Sequence, residues 1–170
     1  MDVGVMKPIA TGVVKQNGRL ISYDVEFLKK TVNTKDETSL INPYVSNLPL
    51  APSVAFRLRG KTISLKRITD CFNELEQRHE LVLVEGIGGL LVPIKKDYLV
   101  ADLIRDLDIS LIIVSSNKLG TINHTLLTIN QAREYGCNIL GVIFNRINQD
   151  KDDISKRTNP DIIKKIAKVE

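Results

Sequence analysis

The stretch LVLVEGIGGLLVPI, residues 81–94, decides how this chain folds. Four apolar residues run straight into a carboxylate, Glu85, and are followed by Gly86, Gly88 and Gly89 and then by a second apolar run. The first run is rich in Val and Leu and does not alternate with polar residues. That pattern predicts a parallel strand buried on both faces. A charge and so much bare backbone at the end of such a strand predict a place where something binds.

Working outward, three more runs read the same way: Val3–Met6, residues 111–114 and residues 139–144. Helical patterns lie between them. Leu65, Ile68, Phe72 and Leu75 follow helical spacing behind Ser64 as N-cap. Residues 101–107 make a short helix. Ile122, Leu126, Ile129 and Ala132 form another stripe, with Gly136 where the helix should stop. Residues 42–52 carry three prolines and read as loop. The tail is helical, with Ile162, Ile163, Ile166 and Val169 on one face among lysines. Strand, helix, strand, helix predicts an open, mostly parallel α/β sheet with helices on both faces.

Bulk properties narrow the function classes. A chain of 170 residues fits one domain with a real core, and a net charge of +4 without a Lys/Arg block does not favour nucleic acid. Cys71 and Cys137 lie far apart among apolar neighbours, which excludes a disulfide framework or zinc site and suits a reducing cytoplasm. No apolar run approaches the roughly 18 residues of a membrane span, and MDVGVMKPIA lacks the order of a secretory signal.

In open parallel sheets ligands bind beyond the carboxyl ends of the strands. Four segments end there: Lys7-Pro8, Glu85 with its glycines, residues 115–120, and Asn145-Arg146. Glu85 has the form of a Walker B acid, which can hold Mg²⁺ directly or through water; an acid there can also simply cap the following turn. Lys7, in KPIATG, offers a point charge to a phosphate or is a solvated strand-end lysine. Thr11 adds a hydroxyl. Asp24, in SYDVEF, is a possible second magnesium ligand or an ordinary helix N-terminal charge. Gly120 and Thr121 open a helix whose free N–H groups suit an anion. His124 reads as structural and His79 as surface. The glycines are not a phosphate loop, since neither GxxxxGK[ST] nor GxGxxG leading into a helix is present there.

Taken together, KPIATG, the Asp of SYDVEFL, NPYVSNLPLAPSVA, VEGIGGLLVPI, the following ADLI, VSSNKLGTINHTLLT and GVIFN resemble, in that order, the dethiobiotin synthase family. The resemblance covers residues 3–145 and implies a P-loop NTPase-like sheet. It also implies a reaction. An amine of 7,8-diaminononanoate captures CO₂ as a carbamate; the carbamate oxygen attacks the γ-phosphate of ATP with Mg²⁺ present; the second amine closes a cyclic urea and expels phosphate. By the same resemblance Lys7 stabilises carbamate and phosphate charge, and Thr11 lies near the substrate amine. Asp24 and Glu85 hold magnesium, Gly88 and Gly89 lie against the substrate, and Pro49 and Pro52 line its channel. Asn145 reads the adenine edge. Asn123 receives the substrate carboxylate across a homodimer interface, for which Ile122, Leu126 and Ile129 offer an apolar face, core packing within one chain being the simpler reading.

The family begins with a strand and a GxxxxGK[ST] loop ahead of the KP motif. No GxxxxGK[ST] occurs in these 170 residues; the one GK, Gly60-Lys61 before Thr62, has Ala55 where the first glycine belongs and reads as loop. The expectation is therefore a single domain over residues 1–170, truncated at its N-terminus, with a helical tail over 146–170. Besides the synthase, the sequence leaves open a non-catalytic remnant or interaction protein of this fold. A cobyrinate-synthase-like ligase is also open, though GTINHTLLT points away from it.

Overall fold

The computed structural model describes residues 1–116, 118–145 and 154–169, which form two compact units, residues 1–100 and 101–170. Arg146 and the start of the expected tail helix lie outside the described residues.

The first unit opens with β1 (Val3–Met6), β2 (Ile9–Ala10) and a hairpin of β3 (Val14–Gln16) and β4 (Arg19–Ile21). There follow α1 (Tyr23–Val32), α2 (Thr38–Ile41), β5 (Tyr44–Val45), α3 (Pro52–Arg57), α4 (Leu65–Arg78), β6 (Leu81–Val84) and a second hairpin, β7 (Pro93–Lys95) with β8 (Tyr98–Leu99). β1 pairs with β6 in parallel, Met6 opposite Val84, so Lys7 and Glu85 leave their strands side by side. β2 pairs in parallel with β5. The helices begin where local chemistry dictates: Ser22 caps α1 through the Val25 N–H, and Ser64 caps α4 through the Arg67 N–H. Val25 of α1 and Ile41 of α2 pack on Val5, with Leu28 and Val32 at the margin. Ile68, Cys71, Phe72 and Leu75 of α4 are buried, as their spacing predicts.

Residues 42–52 are less loop-like than the three prolines suggest, because Tyr44 and Val45 pair with β2 and Pro52 starts α3. Proline is tolerated at a helix start, where its missing N–H had no partner to lose. His79 is not a surface residue. Its ring, 11% exposed, lies between Asp2 (2.9 Å from Nδ1) and the buried Asp36 (2.7 Å from Nε2), and Arg78 also reaches Asp36 at 2.8 Å. Gly4 makes room for the ring: a Cβ there would stand 2.5 Å from His79 Cδ2.

The second unit continues from α5 (Val100–Asp106), whose first residue closes the first unit, through β9 (Leu111–Ser116), α6 (Thr121–Glu134) and β10 (Ile139–Asn145) to α7 (Ile154–Ala167). β9 and β10 are parallel. Ile113, Ile129, Ile163 and Ala167 form their core, with Ile122 and Leu126 packed against it. One expectation holds here and another changes. Ile122, Leu126 and Ile129 pack into the chain's own core, the simpler of their two readings. On α7 the buried stripe is Ile163 and Ala167, while Ile162 and Ile166 are exposed, because residues three and four apart share a helix face and neighbours in sequence do not.

Cover over the strands is uneven. In β6 burial alternates, with Leu81 and Leu83 exposed; Ile112 and Val114 of β9 and Leu140 and Ile143 of β10 are exposed as well. Continuous apolar runs are what a doubly covered strand needs; β1 meets that description, with Val5 and Met6 buried on opposite faces, while the outer parts of β6, β9 and β10 leave apolar side chains exposed among the described residues. Among these residues no helix is long and apolar enough to cross a membrane.

Candidate active site

The register of β1 and β6 carries Lys7 to the point where Glu85 begins its loop. Glu85 N–H donates to the Met6 carbonyl at 2.7 Å, which fixes the strand end. The Lys7 side chain, 7% exposed, then places Nζ 2.7 Å from Glu85 Oε1 and 3.2 Å from Asp24 Oδ2. Nζ also donates to the Gly86 carbonyl at 3.4 Å. A buried ammonium is costly unless paired and hydrogen-bonded, and three oxygens from two segments meet that need. Asp24 comes from the first turn of α1, so one residue serves both readings of it: the helix N-terminus favours its charge, and the helix aims it at Lys7.

The glycines after Glu85 divide the work. Gly88 has a φ of 65°, a conformation that an L side chain rarely adopts, and a Cβ on it would meet Val92 Cγ2 at 2.9 Å. Nothing lies within 4 Å of a Cβ placed on Gly89, so backbone is open there. Thr11 follows β2, and Gly12 donates its N–H to the Leu48 carbonyl at 3.0 Å. That contact brings Thr11-Gly12 against Pro49, which a Cβ on Gly12 would approach to 3.2 Å. Pro52 is buried at the first turn of α3.

Asp24 and Glu85 thus offer two carboxylates on one cation, with side chains 61% and 46% exposed. Among the described residues no group of three or more His, Cys, Asp or Glu could cage a metal. This donor set fits a hard divalent ion that keeps waters and brings its own phosphate oxygens; it does not fit a closed protein cage. A cleft of about 330 Å³ next to it, lined by Ser22, Val25, Asn42, Pro43 and Arg67, contains none of Lys7, Asp24 or Glu85.

The second unit holds the other expected residues. Gly120, with a φ of 89°, precedes α6 without any side-chain cap. Ser115 Oγ joins Thr121 Oγ1 (2.7 Å) and Thr125 Oγ1 (2.8 Å) in a buried hydroxyl cluster, which sequence reasoning passed over because each residue looks ordinary alone. A small cleft there, about 170 Å³, is lined by Ser116, Lys118, Thr121, His124 and Thr128. Asn123 is exposed on the first turn of α6, and Asn145 is exposed at the end of β10 opposite Ser116. Asn42, also passed over, donates its side-chain N–H groups to the Lys7 and Tyr44 carbonyls.

Parallel strands that end in a lysine and a Walker B-like acid, with a glycine loop beyond, define an α/β protein whose ligand site lies at the carboxyl ends of its strands. A family profile described as an AAA domain matches residues 1–170. The chain is 36% identical to the ATP-dependent dethiobiotin synthetase BioD of Thermodesulfovibrio yellowstonii over 99% of its own length and 73% of the relative's. It is 38% identical to the enzyme of that name from Bacillus subtilis over 98% and 71%, and 37% identical to that from Methanocaldococcus jannaschii over 100% and 78%. The chain belongs to the dethiobiotin synthetase family.

Proposed function

We propose that this chain acts as a dethiobiotin synthase: with ATP and Mg²⁺ it carboxylates 7,8-diaminononanoate with CO₂ and closes the cyclic urea, working as a homodimer in the cytoplasm. The observation that carries this reading is the Lys7 ammonium held between Glu85 and Asp24, beside the open backbone of Gly89.

The residues divide the labour as the chemistry requires. Phosphoryl transfer asks a protein mainly for positioning and charge neutralisation. When bound, magnesium would be held by Asp24 and Glu85 and would neutralise phosphate oxygens. With its carboxylates shared in that way, Lys7 turns its charge to the carbamate oxygen and the phosphate it attacks. Thr11 holds the amine side of the substrate against Pro49, and Gly88-Gly89 lets the carbon chain lie on bare backbone. Asn145 takes the adenine edge. Asn123, exposed beside the uncapped N–H groups of α6, receives the substrate carboxylate from the other subunit.

The test is direct. Protein carrying these residues and a phosphate loop is incubated with the diamine, labelled bicarbonate and Mg-ATP. Label should enter a cyclic urea in equal amount to released phosphate, and only with all three present. Phosphate release that does not depend on the diamine would instead mark a simple nucleotide hydrolase and sink the reading. Sedimentation of an active monomer would remove the role given to Asn123.

A further inference from the structure

Lys7 sits where the chain changes partners. β1 pairs with β6, and β2, which begins three residues after β1 ends, pairs with β5. In a regular strand successive carbonyls point to opposite edges. Here Met6 O accepts from Glu85 N–H on the β6 edge, and Lys7 O faces the other edge, toward Asn42. Pro8 O should return to the β6 edge; instead it accepts from Tyr44 N–H at 3.2 Å. Two neighbouring carbonyls therefore share one edge, and the backbone twists between Lys7 and Pro8.

That twist needs two donors on the β5 side, and the backbone there has one. Tyr44 serves Pro8. Pro43 has no N–H, and the N–H of Asn42 is committed to the Thr38 carbonyl at 2.8 Å, closing α2. The Asn42 side chain supplies the missing donor, with Nδ2 2.6 Å from Lys7 O and 3.2 Å from Tyr44 O. Both partners are carbonyl oxygens, so the amide can face only one way. Asn42 is 7% exposed, which leaves water little access to compete.

We propose that Asn42 is a positioning residue for Lys7: its amide locks the Lys7-Pro8 twist and so holds the Lys7 ammonium between Asp24 and Glu85. The catalytic consequence rests on the function proposed above; the positioning itself does not.

The experiment reads Lys7 without relying on turnover. The purified protein is treated with an amine-acylating reagent, and each lysine's labelling rate is followed by peptide mass spectrometry. Lys66, on the open face of α4, is the internal reference. In Asn42→Ala, Lys7 should label about fivefold faster or more, the scale of one lost buried hydrogen bond, with Lys66 unchanged. Ile68→Val, a mild core change in α4, supplies a destabilised control in which Lys7 stays protected. Where Asn42→Ala fails to fold, Asn42→Ser keeps one donor and should give an intermediate rate. Turnover measured in parallel should fall by about 10²-fold through kcat with little change in KM for the diamine, as a misplaced catalytic group requires. Unchanged Lys7 labelling in Asn42→Ala, or equal exposure in Ile68→Val, overturns the proposal. Unsubstituted protein that carries a phosphate loop and still makes no product defeats the proposed function, and the labelling still decides the role of Asn42.

Discussion

The burden on Glu85 is double, since its carboxylate pairs with a buried ammonium and is one of two oxygen donors open to a divalent ion. Glu85→Gln keeps the shape and the hydrogen-bond acceptor but removes the charge. We expect catalysis to fall by roughly 10²–10³, the usual loss for one charge contact to a transition state, with the far-ultraviolet spectrum unchanged. The residual rate should also respond less steeply to magnesium. An enzyme with the wild-type rate across a magnesium titration would take Glu85 out of the site. At this scale the sequence was informative where a residue stands at the end of a strand. Lys7 and Glu85 follow apolar runs that can only be strands, and Asp24 follows a helix-starting serine, so their meeting could be read from three short segments. Asn42 could not. Its function depends on a carbonyl 35 positions away, and Asn before Pro announces only a turn.

Among the elements, the end of α4 and the start of β1 are tied by charge through His79 and Asp2. Burial alone would push the Asp36 carboxyl up and the His79 imidazole down. Hydrogen bonds from Thr34, Arg78 and His79 outweigh this for Asp36 and hold it below the ordinary carboxylate value of 3.8. Bonds to Asp36 and Asp2 likewise raise His79 above its ordinary 6.5. The raised imidazole contributes stability that is complete below about 6.5 and is lost as pH rises through its folded value; the lowered carboxyl contributes stability that is present above about 3.8 and is lost as pH falls through its folded value. The tie is therefore strongest between about pH 4 and 6.5. His79→Asn should lower the melting temperature by a few degrees near pH 6, given about 1.5 kcal/mol for a hydrogen bond to a charged group and 2–4 °C per kcal/mol in a chain of this size. The deficit should shrink toward pH 8. Thermal melts in which wild type and variant differ equally at pH 6 and pH 8 would show that the charge does not matter. Gly4→Ala should destabilise at every pH, since its Cβ meets a ring held on both sides, at a cost of roughly 1–3 kcal/mol. The long elements here were legible from periodicity and capping serines. The two- and three-residue strands β2 to β5, β7 and β8 were not, because no period can show itself in so few residues; they exist only because a partner segment comes alongside.

For the molecule as a whole, both parallel pairs leave apolar side chains in the open. Leu81 and Leu83 on β6, and Ile112, Val114, Leu140 and Ile143 on β9 and β10, are the apolar residues that made the sequence read as doubly covered strands, and they stand exposed. Among the described residues β6 has only β1 beside it, and β9 only β10. The 170 residues also contain no GxxxxGK[ST], the backbone cradle, lysine and hydroxyl that hold nucleotide phosphates. Both shortfalls are met by one kind of segment, a strand leading through such a loop into an amphipathic helix. The prediction is that the 170-residue polypeptide alone binds ATP feebly and aggregates through its open strand edges. Joined behind a strand–GxxxxGK[ST]–helix segment, it should bind Mg-ATP and melt at a clearly higher temperature. Covering even the half-exposed Leu81 and Leu83 contributes roughly 1–1.5 kcal/mol apiece, a large share of the 5–15 kcal/mol typical of a folded domain. Calorimetric titration and thermal melts of the two polypeptides decide it. Micromolar ATP affinity in the 170 residues alone would mean that another segment cradles the phosphates. Residues 60–62, the one Gly-Lys-Thr, would then be the first to substitute, although Gly60 lies in an open turn after α3 rather than between a strand and a helix.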